Sequence, residues 1–120
     1  MKVLDKSRVH KENLSRYVMT ERKVLSLISH PFVTRLRYAF QNPGSLFLVM
    51  AYYPGGNLSE CLEREGRLPE SRAKLYIAEI ILSIQELHKH DIIYRDLKPE
   101  NIVLDAEGHA LLIDFGLSKE

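Results

Sequence analysis

The chain has 120 residues, with 45% hydrophobic and 28% charged side chains and a formal net charge of +1. That balance fits one small globular domain and gives no sign of disorder. The near-neutral charge offers no footprint for nucleic acid. No apolar run approaches the about 20 residues needed to cross a bilayer, and no signal peptide opens the chain. The single cysteine, Cys61, excludes an internal disulfide and reads as an inert small side chain in a helical stretch.

Met1–Leu4 reads as the end of a strand. Leu14 to Ile28 carries apolar residues at Leu14, Val18, Leu25 and Ile28, which predicts a helix containing Glu21. His30-Pro31 stops it, because proline disfavours helical geometry in the residue before it. Two strands are expected next, Phe32–Phe40 and Ser45–Met50, with a turn at Asn42-Pro43-Gly44. Tyr53-Pro54-Gly55-Gly56 breaks the chain and is the best boundary between two lobes. Asn57–Glu65 reads as a short helix capped by Asn57 and ended by Gly66. Pro69 to about His90 predicts a long helix. Its apolar residues Leu75, Ile77, Ala78, Ile80, Ile81, Ile84 and Leu87 cover a wide face that calls for burial. A polar loop over Tyr94–Asn101 follows, then strands Ile102–Leu104 and Ala110–Ile113 around a turn at Asp105–Gly108. The order predicts an α+β fold with a sheet-bearing part and a helical part.

Chemistry concentrates in Tyr94-Arg95-Asp96-Leu97-Lys98-Pro99-Glu100-Asn101 and in Asp114-Phe115-Gly116. Phosphoryl transfer needs a carboxylate to orient a hydroxyl, a cation for the γ-phosphate and hard oxygen ligands for Mg²⁺. Asp96 suits the first need. Lys98, two residues on in an extended loop, suits the second. Asn101 and Asp114 suit the third.

The loop and the Asp-Phe-Gly triplet resemble those of protein kinases, and the Tyr-Arg-Asp form resembles the AGC group of Ser/Thr kinases. The resemblance covers essentially the whole chain. It implies part of the two-lobed kinase fold: residues 1–50 as part of the small lobe, 51–56 as the hinge, and 57–120 as the first part of the large lobe. It implies ATP and Mg²⁺ as cofactors, with Asp96 as catalytic base and Lys98 on the γ-phosphate. Asn101 and Asp114 would hold the metal. Lys2 would contact the ATP α- and β-phosphates, with Glu21 as its ion-pair partner. Met50 would be the gatekeeper. The backbone of Ala51 and Tyr53 would meet the adenine edge, Val103 would lie beneath the base, and Asn57 would stand near the ribose. Glu100 would meet a basic substrate side chain. Leu25, Leu36, Tyr94 and Phe115 would stack as an apolar spine, with Phe115 against the helix carrying Glu21.

Two positions depart from the group. Ala51 stands where Glu is usual, which matters little for ATP because the backbone makes the contact. Asn57 stands where Glu or Asp is common, which weakens any preference for arginine upstream of the phosphorylated residue. No Gly-rich loop precedes Lys2, and Met1 reads as an internal methionine. The phosphorylatable activation loop and further helices would lie beyond Glu120. These 120 residues alone are therefore expected to lack kinase activity and to leave apolar surface exposed along the long helix. The implied partners are Ser/Thr-containing proteins, with basic residues upstream of the target, and an activating kinase, in an intracellular, cytoplasmic setting. The rival reading is a truncated, non-catalytic kinase-like binding module.

Overall fold

A computed structural model describes residues 1–11, 15–116 and 118–119, with nothing described for the side chain of Lys11. Strand β1 (Lys2–Asp5) is followed by two helices, α1 (Lys6–Lys11) and α2 (Ser15–Leu27). Strands β2 (Leu36–Gln41) and β3 (Ser45–Met50) complete an antiparallel sheet of order β1-β3-β2. Helices α3 (Leu58–Glu65) and α4 (Glu70–Lys89) come next. A 3-10 turn (Pro99–Asn101) then leads into the antiparallel hairpin of β4 (Ile102–Leu104) and β5 (Ala110–Leu112). Apart from α1, the α+β order read from the sequence is the observed one.

Helix α2 packs through Glu21, Val24 and Leu25, continued by Ile28 just past its end, all buried. These positions fall at i, i+3, i+4 and i+7, one face of a helix. The expected start of this helix, Leu14, lies outside the described residues. The short α1 was not expected. Asp5 starts it by accepting from the N–H and hydroxyl of Ser7, at 2.9 and 2.6 Å, the local competition by which Asp favours helix starts.

The strand expected from Phe32 begins only at Leu36. Residues 32–34 pair instead with β5. Thr34 N–H donates to Leu112 O, and Leu112 N–H donates to Phe32 O, both at 3.0 Å. This short parallel bridge ties the sheet-bearing half to the helical half. Its backbone groups are satisfied across the two halves rather than within the sheet, which is why the strand pattern there misleads.

Asn57 caps α3 as expected. Its side chain accepts from Glu60 N–H at 2.9 Å, while Glu60 Oε2 accepts from Asn57 N–H at 3.2 Å, a reciprocal capping box. The 51–57 link passes so close to β4 that a methyl group on Gly55 would lie 2.6 Å from the Leu104 carbonyl oxygen.

Helix α4 buries Tyr76, Glu79, Ile80, Ser83 and Leu87 against the rest of the core. Only one face is covered. Ile77 and Ile81 are each 59% exposed, and Leu75 and Leu82 are exposed as well. The breadth of its apolar pattern therefore does not correspond to burial on all sides, and apolar surface does run along the helix. The stripe that packs includes the polar Glu79 and Ser83, whose partners are supplied by the hairpin and by the helix backbone.

Gly55→Ala is expected to push the link off β4 and to cost about 1–3 kcal/mol, read as a lower urea midpoint. Gly44→Ala is the control. A methyl group there lies no nearer than 3.8 Å to Asn42 Oδ1, so the midpoint should hardly move.

Candidate active site

Lys2 stands opposite Leu48 in the β1–β3 pairing. Directly opposed residues share a face of the sheet, and Leu48 is buried. Lys2 therefore points toward α2, where its Nζ donates to Glu21 Oε2 at 2.6 Å. The Glu21 side chain is only 4% exposed and that of Lys2 is 37% exposed. A carboxylate on the packed stripe of a helix needs a cation of this kind, because an unpaired buried charge is strongly destabilising.

The loop after α4 folds through two residues with left-handed φ, Asp91 at 57° and Arg95 at 66°. Asn101, buried at the end of the 3-10 turn, donates from Nδ2 to the Asp96 backbone carbonyl at 2.9 Å and to Asp96 Oδ2 at 2.8 Å. The other Asp96 oxygen lies 3.5 Å from Lys98 Nζ. Asp96 is thus oriented from both sides, with Lys98 half-exposed beside it. Glu100 is exposed on the same turn.

Hairpin register brings the backbones of Asn101 and Asp114, the two expected metal ligands, to one end of the hairpin. Ile102 opposes Leu112, and one step further Ile113 N–H donates to Asn101 O at 3.0 Å. Asp114 follows Ile113 directly, so it leaves the hairpin at the end that holds Asn101. Its φ of 59° lies in the left-handed region, a conformation that Asp adopts more readily than bulky residues. Its carboxylate is exposed and accepts from Gly116 N–H at 3.4 Å.

Tyr94 reinforces this corner. Its hydroxyl donates to the Ile113 carbonyl, and its ring lies 5.4 Å from that of Phe115. Burial, with the Asp114 and Asp96 carboxylates nearby, holds the phenol well above its usual pKa, so it remains a donor. Leu25, Tyr94 and Phe115 belong to one buried cluster, with Leu36 packed against it.

On the sheet side, β3 ends at Met50, which is half-buried and packs on the same cluster. Ala51 and Tyr53 follow in the link, and the Tyr53 hydroxyl lies 3.1 Å from Thr34 Oγ1. Asn57 forms an isolated bridge with Val103, and Leu104 N–H donates to Gly56 O at 3.0 Å. The link and β4 therefore run side by side, and Val103 of β4 is buried. The Asn57 side-chain oxygen is engaged in the α3 cap. Sequence reasoning missed Thr34, the Ile113 carbonyl and the Glu79–His109 pair, none of which carries a local signal in the chain.

The donor set suits a hard divalent cation: a carboxamide oxygen at Asn101 and a carboxylate at Asp114. Among the described residues no group of three or more His, Cys, Asp or Glu could hold a metal ion alone. A site built on these two residues needs further oxygens from phosphate and water, the usual arrangement for Mg²⁺.

The family model for the protein kinase domain matches residues 1–120. The chain belongs to that family. Its sheet with flanking helices is part of the two-lobed kinase fold. It is 54% identical over 119 residues to Protein kinase 3 of Dictyostelium discoideum, covering 99% of this chain and 13% of that protein. It is 50% identical over 122 residues to the serine/threonine-protein kinase SCH9 of Saccharomyces cerevisiae, covering 99% and 15%. It is 50% identical over 121 residues to the human serine/threonine-protein kinase Sgk2, covering 100% and 33%. The chain thus spans a third or less of the length of these relatives. They agree with the AGC-group resemblance of the Tyr94–Asn101 loop. Among the described residues of this kinase domain, no helix is long and apolar enough to cross a membrane.

Tyr94→Phe removes the donor to Ile113 while keeping the ring. The expected loss is about 1 kcal/mol of stability, measured by denaturant unfolding. Faster amide exchange at Ile113 should accompany it.

Proposed function

We propose that this chain supplies the catalytic side chains of an ATP-dependent protein Ser/Thr kinase. One observation carries the reading: Asp96 and Asn101 are hydrogen-bonded to each other, and Asp114 leaves the hairpin at the end where Asn101 enters it. We assign residues 1–50 to the small lobe, 51–56 to the hinge and 57–120 to the large lobe.

In this reading Asp96 orients the substrate hydroxyl and accepts its proton as the hydroxyl oxygen bonds to the γ-phosphorus. The bond from that phosphorus to the β-γ bridging oxygen breaks, and ADP departs. Lys98, beside Asp96, offsets negative charge on the transferring group. Lys2, positioned by Glu21, holds the α- and β-phosphates. Met50, the Ala51 and Tyr53 backbone, Asn57 and Val103 line the nucleotide side, and the Leu25, Leu36, Tyr94 and Phe115 stack supports both walls. Asn101 and Asp114 offer the oxygens that would hold Mg²⁺. Held there, the ion would supply positive charge to offset that of the phosphates. Such a site works by positioning and charge, so the fixed orientation of Asp96 is the feature that matters most.

The names of the relatives above support Ser/Thr specificity, and an intracellular setting goes with it. Glu100, exposed on the turn after Lys98, is the residue we assign to a basic substrate side chain. An activating kinase is also part of the proposal. A cavity of about 740 Å³ between α2 and the residues after Asp114 has Arg16, Arg22 and Lys119 among its lining side chains, cations suited to a phosphorylated segment. A purely structural module would have no need for Lys2, Glu21, Asp96, Asn101 and Asp114 together.

Asp96→Asn in the full-length protein should lower phosphorylation of a Ser-containing basic peptide by roughly 10²–10⁴-fold, the usual share of a general base. Its melting temperature should stay near the wild-type value. Turnover within a few-fold of wild type would remove Asp96 from the mechanism.

A further inference from the structure

Glu79 lies on the packed stripe of α4, with its side chain 4% exposed. Its two oxygens are taken up by one short stretch of the hairpin. Oε2 lies 2.6 Å from His109 Nδ1, and Oε1 accepts from Ala110 N–H at 3.3 Å. Ala110 is the first residue of β5. The pair thus fastens α4 to the start of the strand whose other end delivers Ile113 and Asp114.

His109 is placed to exchange protons with solvent. Its side chain is 42% exposed, while the carboxylate it faces is buried. The groups around it are of one sign. Asp105 accepts from the His109 backbone N–H at 2.8 Å, and Glu107 Oε2 lies 4.0 Å from Nε2. The 30–32 segment contributes the Phe32 ring at 5.6 Å. Behind it His30 accepts from Phe32 N–H through Nδ1. On α4 the facing group is Glu79 itself.

We propose that Glu79 and His109 form a proton-operated latch between α4 and the β4–β5 hairpin, closed by the imidazolium and slackened by the neutral ring. With the proton on, the contact is a charge-assisted hydrogen bond to a buried carboxylate. With it off, the buried Glu79 side chain faces a neutral ring, and a buried carboxylate without a counter-ion is costly. Tertiary contact with Glu79 raises the His109 pKa above its ordinary value, with the hydrogen bond as the largest cause. A raised folded-state value means that the stabilisation is fully present below the unfolded value of about 6.5. It is lost as pH climbs through the raised value. The latch therefore opens as pH rises above the ordinary imidazole range. It does not depend on the phosphoryl-transfer reading.

The test is an NMR titration of the His109 imidazole in the full-length protein, alongside Glu79→Gln. His109 should titrate above pH 6.5 in the wild type and lower in the variant than in the wild type. Thermal unfolding across pH 6 to 9 should show the wild type losing stability relative to His109→Gln as pH rises. The lost factor in the folding constant should be about tenfold for each pH unit separating the folded and unfolded values. Amide protection at Leu112, corrected for the intrinsic rate, should fall over the same range in the wild type alone. An unchanged His109 titration in Glu79→Gln would overturn the latch. Should Glu79→Gln fail to fold, parallel stability–pH curves for wild type and His109→Gln would overturn it as well.

Discussion

Ile113 is held through both its backbone N–H and its carbonyl, and the geometry of the site depends on that clamp. Its N–H donates to Asn101 O, which closes the β4–β5 ladder one step beyond the strands. Its carbonyl accepts from the Tyr94 hydroxyl, which sits on the loop that carries Asp96. One residue therefore fixes the start of the Asp-Phe-Gly segment to both ends of the Tyr94–Asn101 loop. Asp114 then turns out through a left-handed φ, a conformation maintained only where the surroundings determine it strongly.

The halves of the chain are joined by small, directional contacts as well as by apolar burial. Residues 32–34 pair with β5, Thr34 meets Tyr53, and Gly56 accepts from Leu104. Each contact spans a long stretch of sequence. Together they place the end of β3, the link and β4 side by side, which is the wall we assign to the nucleotide. The apolar cluster of Leu25, Tyr94 and Phe115 fills the space behind this wall. Directional contacts thus set the register, while burial supplies the driving force.

Polar groups on packed faces recur in this fold. Glu21 on α2 and Glu79 on α4 both occupy stripe positions where an apolar residue would be the default. Each is matched by a base from a strand or its approach, Lys2 for the first and His109 for the second. Such pairs specify which element packs where, because the alternative leaves a charge buried alone. Helix α2 is thereby tied to β1, and helix α4 to the hairpin.

Much of this was legible in the chain itself. Local chemistry determined the turn at Asn42–Gly44, the Asn57 cap and the β4–β5 hairpin, because each depends on residues close in sequence. The Tyr94–Asn101 loop and the Asp-Phe-Gly triplet were recognisable for the same reason. The periodic pattern of α4 marked a helix but not its packed face, since Ile77 and Ile81 are as apolar as Ile80 and only the neighbouring hairpin selects between them. The start of β2 and the fate of residues 32–34 were decided by β5, a partner far along the chain. The left-handed turns at Arg95 and Asp114, the Tyr94 bond to Ile113 and the pairing of Glu79 with His109 likewise arose only on folding. Sequence alone specified which side chains are available and which short segments they shape. Tertiary structure decided which of them meet, because hydrogen bonds and ion pairs between distant residues require a distance and a direction that no local pattern encodes.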